Sequence, residues 1–210
     1  MNKHSTFYRG RLFLLTAPSG AGKTSLVREL LRSHLNLRFS ISYTTRPKRP
    51  NETHDRDYHF VSQKEFDRML AAGEFLEHAR VFDHCYGTAR KAVAEELERG
   101  HDLLLEIDWQ GAQQVRRAMP EAVNVFILPP SRQELERRLK SRGTDSPAAI
   151  ARRLRDAVAD MSHWQEFDYV VINDDFTQAL GALADILTGR GEASLATRAD
   201  LKPLLAGLLA

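Results

Sequence analysis

Short apolar runs alternate along the chain with stretches of helical periodicity. Leu12 to Thr16 reads as a buried strand, followed by a glycine turn and a helix from about Thr24 to Arg32. Leu103–Ile107, Asn124–Leu128 and Tyr169–Ile172 are further short apolar runs. Each precedes a helical stretch, roughly Gly111–Ala118, Arg132–Lys140 and Asp175–Leu187. Strands that alternate with helices predict an α/β fold, a parallel sheet with helices on both faces.

Two stretches break the alternation. Residues 42–100 are polar and rich in Thr, Arg, His and Tyr, which predicts an insertion with a small fold of its own. Residues 132–155 hold eight Lys and Arg against three acids, a local balance of +5. At the end, Leu201, Leu204, Leu205, Leu208 and Leu209 make one apolar helical face, with Pro203 tolerable in the first turn. Packing onto the chain's own core is the plainer use of that face, and self-association the sharper one.

Composition narrows the class. A length of 210 residues is enough for one well-buried core, and no repeat, low-complexity tract or flexible linker splits it. One cysteine, Cys85, forms no internal disulfide and no thiolate metal site, so a reducing compartment and a cytoplasmic location are expected. Lys3, Arg9 and Arg11 precede the run from Leu12 to Leu15, which is too short for a signal-peptide core. No apolar run has the length to cross a bilayer. The net charge of +2 excludes a general polyanion binder. It conceals 23 Arg against 7 Lys, and Arg is the residue that grips phosphates in a fork. Coding bias explains such an excess unless the arginines sit where phosphates would.

The turn after the first strand carries chemistry. Ala17-Pro18-Ser19-Gly20-Ala21-Gly22-Lys23-Thr24 fits G-x-x-x-x-G-K-[ST], with Ala in place of the first Gly. Gly20 and Gly22 let the backbone curl so that successive N–H groups face phosphate oxygens at a helix N-terminus. Lys23 would reach the β and γ phosphates, and the Thr24 hydroxyl can ligate Mg²⁺. Strand before and helix after are the context that separates this loop from a chance glycine turn. Ala17 is harmless as long as its φ is negative.

The insertion suggests the acceptor. Ser42, Tyr43, Thr44, Thr45, Arg46, Lys48, Arg49, Asp57 and Tyr58 gather hydroxyls and guanidinium groups, a set suited to a phosphate monoester. Glu77 offers a carboxylate to the N1–H and N2–H₂ edge of guanine, whereas adenine would leave it unpaired.

Six motifs in order now resemble the guanylate kinases, the bacterial ones most closely: the loop from Ala17 to Lys23; Ser42-x-Thr44-Thr45-Arg46-x-x-Arg49; Phe75-Leu76-Glu77; Tyr86-Gly87-Thr88; Ile107-Asp108-Trp109-Gln110-Gly111; and Ile172-Asn173-Asp174-Asp175. The resemblance implies transfer of the γ-phosphoryl group of ATP to GMP with Mg²⁺, on a P-loop NTPase core. It implies a domain over 10–189, with core segments 10–41, 101–131 and 165–189, a GMP-binding insertion at 42–100 and a mobile lid at 132–164, then a tail at 190–210.

Carried over by position, Ser42, Arg46, Arg49, Tyr58 and Tyr86 resemble contacts to the GMP phosphate, and Glu77, Thr88 and Asp108 contacts to guanine. Ala17, Pro18, Ser19, Gly20, Ala21, Gly22, Lys23 and Thr24 resemble the ATP loop, and Asn173 a contact near the adenine. Lys23, Arg46, Arg138, Arg142 and Arg153 are the expected catalytic cations. Arg132, Arg137, Arg152 and Arg155 are read as a solvated helix face. Thr88 stands where some members carry Ser, which keeps the hydroxyl, and Glu106 where Asp is common, which keeps the charge on a longer arm. The acceptor is already a phosphate oxygen, so no histidine is nominated as a base. ATP and GMP are the expected partners, with dGMP as a further candidate substrate, no nucleic acid, no membrane, and a homo-oligomer through the terminal helix as an option. A ribose-bisphosphate kinase of similar core and a phosphopeptide-binding scaffold remain as alternatives; the first has no use for Glu77 and Thr88, the second none for Lys23.

Overall fold

The structure, a computed structural model, describes residues 9–81, 83–141 and 146–210. The chain runs β1 (Leu12–Thr16), α1 (Lys23–Ser33), β2 (Leu37–Phe39), β3 (Tyr43–Thr44), β4 (His59–Phe60), α2 (Gln63–Ala71), β5 (Phe75–Val81), β6 (His84–Ala89) and α3 (Arg90–Glu98). It continues through β7 (Asp102–Glu106), α4 (Trp109–Ala118), β8 (Val123–Leu128), α5 (Arg132–Ser141), α6 (Pro147–Met161), β9 (Tyr169–Ile172), α7 (Phe176–Leu187) and α8 (Leu201–Leu209). Its contacts divide it into two compact units, residues 1–14 with 35–123 and residues 15–34 with 124–210.

In the first unit the strand order is β2-β7-β1, with β2 and β7 parallel from Leu37 opposite Asp102. Leu103, Leu104 and Leu105 of β7 are buried, as are Val93 and Leu97 of α3. The polar segment adds a four-stranded sheet in the order β4-β3-β6-β5. It has its own apolar cluster of Phe66, Met69 and Phe75, with Tyr43, Val61 and Cys85 packed against it. Phe66 and Phe75 stack with centroids 4.6 Å apart. Ser62 starts α2 by accepting the Glu65 N–H, the spacing of a capping box.

In the second unit the order is β1-β8-β9, with β8 and β9 parallel from Val125 opposite Tyr169 to Leu128 opposite Ile172. Every residue of β1 and five of six in β8 are buried. That pattern belongs to parallel strands covered on both faces. Leu26 and Leu30 of α1 and Leu183 of α7 are buried as well. The terminal helix α8 buries Leu201, Leu205 and Leu208 and packs against α6. The apolar face that the sequence offers for self-association is thus largely covered by the chain itself. Among the described residues no helix is long and apolar enough to cross a membrane.

Candidate active site

The phosphate loop lies in the second unit. Gly20 and Gly22 hold φ of +94° and +92°, a region where a side chain is strained. Among the described residues only Asp55 and Asp83 share positive φ without being glycine, so Ala17 meets its condition. The Ala21 N–H donates to Pro18 O at 3.2 Å and closes the turn. Helix α1 then starts at Lys23 behind a glycine cap, so no capping side chain lies over its positive end. Lys23 is half-buried and Thr24 exposed. Asn173, directly after β9, donates Nδ2–H to Ala21 O at 2.7 Å.

Helix α5 approaches the same corner. The Arg138 Nη2–H donates to Asn173 O at 3.0 Å, and Nε–H to Glu134 Oε1 at 2.7 Å. Glu134 also takes both forks of Arg137, and these two arginines hold its carboxyl down at about 2. Arg138 is 22% exposed and Arg137 70%. Along α6, Arg153 is half-buried while Arg152 and Arg155 are exposed. Within α5 and α6, exposure thus sets Arg138 and Arg153 apart from Arg137, Arg152 and Arg155. Arg142 lies outside the described residues.

The first unit holds the other two groups. Arg46 is anchored by Nη2–H to Glu52 Oε1 at 2.7 Å and Nη1–H to Pro47 O at 2.8 Å. Its guanidinium lies over the rings of Tyr58 and Phe60, 5.4 and 5.7 Å from their centroids. Tyr58 and Tyr86 face each other at 6.0 Å. Burial, then the charge of Glu106, pushes the Tyr58 hydroxyl up to about 12, so it stays a proton donor. Glu52 also accepts the Arg49 backbone N–H at 2.8 Å, and the Arg46 hydrogen bond keeps its carboxyl below the usual range. The Arg49 side chain is 69% exposed. Ser42, half-buried, accepts the His59 N–H through its backbone carbonyl.

Glu77 and Thr88 are opposite each other in the β5–β6 register, and the Thr88 hydroxyl donates to Glu77 Oε1 at 2.6 Å. Both are buried. Burial pushes the Glu77 carboxyl up to about 7, against the Thr88 hydrogen bond and reinforced by the charge of Asp108. Asp108 caps α4, its Oδ1 accepting the Gly111 N–H at 2.9 Å. Gly111 has no side chain for a reason: a Cβ there would overlap Glu77 Oε2. Gln114 pins the neighbouring backbone, donating to His78 O at 2.6 Å and accepting its N–H at 3.1 Å.

Of three such supports, Glu52, Gly111 and Gln114, the sequence names only Gly111, as the end of a motif and without a role of its own. An acid three positions after Arg49 is a readable signal for the first. A glycine in the first turn of a helix is one for the second. Gln114 gives none, because its partner is 36 positions away.

A family model described as guanylate kinase matches residues 9–190. The guanylate kinase of Chromohalobacter salexigens is 52% identical over 96% of this chain and 94% of its own. That of Dechloromonas aromatica is 56% identical over 90% of this chain and 94% of its own. The crystal structure of guanylate kinase from Anaplasma phagocytophilum superposes with a TM-score of 0.73 at 34% identity, covering 94% of each chain.

Proposed function

This chain belongs to the guanylate kinase family, and on that premise we propose how its residues divide the work. The enzyme transfers the γ-phosphoryl group of ATP to GMP, giving ADP and GDP. The residues Ala17 to Thr24 hold the ATP phosphates, by backbone N–H groups at the start of α1 and by the Lys23 ammonium. Ser42, Arg46, Arg49, Tyr58 and Tyr86 hold the GMP phosphate. Glu77, Thr88 and Asp108 read guanine. Arg138, Arg142 and Arg153 neutralise charge that develops during transfer.

The buried Glu77–Thr88 pair carries the choice of base. A carboxylate out of water is costly unless donors meet it, and guanine brings two on one edge. AMP brings none at N1 and would leave Glu77 unmatched. The GMP phosphate is itself the nucleophile and largely ionised at neutral pH, so positioning and electrostatics suffice without a general base.

Mg²⁺ fits this donor set as a guest of the nucleotide. The Thr24 hydroxyl is a hard oxygen ligand in the first turn of α1, and Mg²⁺ commonly takes one or two protein oxygens with phosphates and water making up the rest. When bound, the ion spreads the negative charge of the transferring phosphate. ATP, GMP and dGMP are the proposed partners, and the cytoplasm the proposed location, which suits the single thiol Cys85. With Leu201, Leu205 and Leu208 of α8 buried and only Leu204 and Leu209 part-exposed, little apolar surface is left there for self-association. A coupled ADP-release assay with GMP, dGMP, AMP, UMP and ribose phosphates tests the reading. Turnover with GMP and not AMP is expected; the reverse would overturn it.

A further inference from the structure

We propose that Asn173 is a positioning residue for the phosphate loop, setting the direction of the Gly22 N–H through the Ala21 carbonyl, and so acts on the polyphosphate whatever the base. The inference rests on the reading of that loop as the ATP phosphate site.

The peptide between Ala21 and Gly22 could point either way. Gly22 has no Cβ, so left-handed and right-handed φ are both open to it, and flipping this peptide meets little steric resistance. In a trans peptide the C=O and the following N–H point in opposite directions. Whatever draws the Ala21 carbonyl inward therefore turns the Gly22 N–H outward. Asn173 supplies that pull: its Nδ2–H donates to Ala21 O at 2.7 Å in a buried hydrogen bond that spans 152 positions of sequence. The partner is a carbonyl, which only accepts, so the amide nitrogen and not its oxygen must face it.

Two further observations show how firmly this side chain is held. The Asn173 backbone N–H donates to Leu128 O at 2.8 Å, and the residue is only 5% exposed. A Cβ at Gly22 would overlap the Asn173 amide nitrogen, so the carboxamide fills the space that glycine leaves. The same residue reaches the other arm of the site, since its carbonyl accepts Arg138 Nη2–H at 3.0 Å. One asparagine thus fixes both the loop amide and an arginine against a common reference. The Asn173 amide keeps a second N–H and its Oδ1 for other partners, so the test must separate a hold on the loop from a contact with the adenine.

The test uses the full chain with Asn173→Asp, which keeps shape but puts an acceptor against the Ala21 carbonyl, and Asn173→Ser, which keeps a donor. Binding of ATP, ITP, inorganic tripolyphosphate and GMP is measured by calorimetry, together with turnover of GMP by each triphosphate donor. A buried carbonyl left without its partner is expected to weaken ATP, ITP and tripolyphosphate alike, by about tenfold or more in the Asp variant, and less in the Ser variant. GMP affinity and the ATP-to-ITP turnover ratio stay where they were. If ATP weakens while tripolyphosphate does not, Asn173 contacts the base and the proposal fails; unchanged ATP binding also sinks it. Should the Asp variant lose GMP binding as well, the Ser variant decides: equal losses for the three polyphosphates with GMP spared uphold the proposal, and any other pattern overturns it. Failure of the wild-type chain to phosphorylate GMP strikes the functional reading instead.

Discussion

Glu77 shows how a single side chain ties recognition to pH. Its carboxyl is pushed up to about 7 by burial first, against the Thr88 hydroxyl and helped by Asp108. Guanine needs the ionised form, because both donors on its edge require acceptors. GMP affinity should therefore fall as pH drops through about 7, approaching tenfold per pH unit well below it. The GMP phosphate titrates in a neighbouring range, so Glu77→Gln is the control: it retains the substrate's titration and loses the part centred on the carboxyl. A profile of kcat/KM for GMP that is identical in wild type and Glu77→Gln would reject the assignment. The same shift acts on stability with the opposite sign. A folded value above the ordinary 4.5 means the carboxyl favours folding at low pH, and that contribution is lost as pH rises through about 7. Bound guanine should return part of that loss, seen as a GMP-induced rise in Tm that grows from pH 6 to pH 8, limits set about one unit either side of the carboxyl.

At the scale of elements, what the sequence reveals depends on how far each pattern must reach. Leu12–Thr16 and Tyr169–Ile172 are strands residue for residue, because parallel strands buried on both faces read as unbroken apolar runs. The sheet β4-β3-β6-β5 is legible only as an insertion. Two of its strands have two residues each, and β6 spells His-Cys-Tyr-Gly-Thr-Ala, with little apolar signal. Its pairing of Glu77 with Thr88 is a matter of register, which a local pattern does not encode. Gly111 shows the two levels in opposition. A glycine inside α4 costs about 1 kcal/mol in helix propensity relative to alanine. A Cβ at that position would run into Glu77 Oε2. Gly111→Ala should therefore improve the helix and spoil the guanine edge. KM for GMP is expected to rise about tenfold or more, the size of a lost hydrogen bond to a charged group, with ATP affinity and Tm close to wild type. An unchanged KM for GMP would mean the carboxylate moves aside freely and does not depend on this glycine.

Across the whole molecule, charge is arranged locally. A net +2 gives little general attraction for nucleotides, yet the chain carries 23 arginines. Many are spent on exposed partners, such as Arg68 with Glu65 and Glu74, Arg99 with Glu96, and Arg190 with Asp185. Such exposed pairs contribute little each. Two at the proposed sites are enclosed instead, Arg46 at 12% and Arg138 at 22% exposed, while Arg49 stands 69% exposed. Coding bias accounts for a count, but not for which arginines are buried against aromatic rings or a carbonyl. The division by unit also separates two kinds of effect. Arg46, Tyr58, Tyr86 and Glu77 belong to the first unit, Lys23, Arg138, Asn173 and Arg153 to the second. Groups that hold GMP in its ground state should change GMP affinity, while those that answer charge on the transferring phosphate should change kcat alone. Arg153→Ala is the sharpest case, being half-buried on a helix whose other arginines, Arg152 and Arg155, are exposed. Its loss should lower kcat by about a thousandfold, which is about 4 kcal/mol of transition-state stabilisation, and leave the Kd for GMP unchanged. Arg152→Ala on the same helix should leave both quantities alone. Single-turnover rates with calorimetric GMP binding decide it: equal kcat in wild type and Arg153→Ala would return that residue to the solvated face.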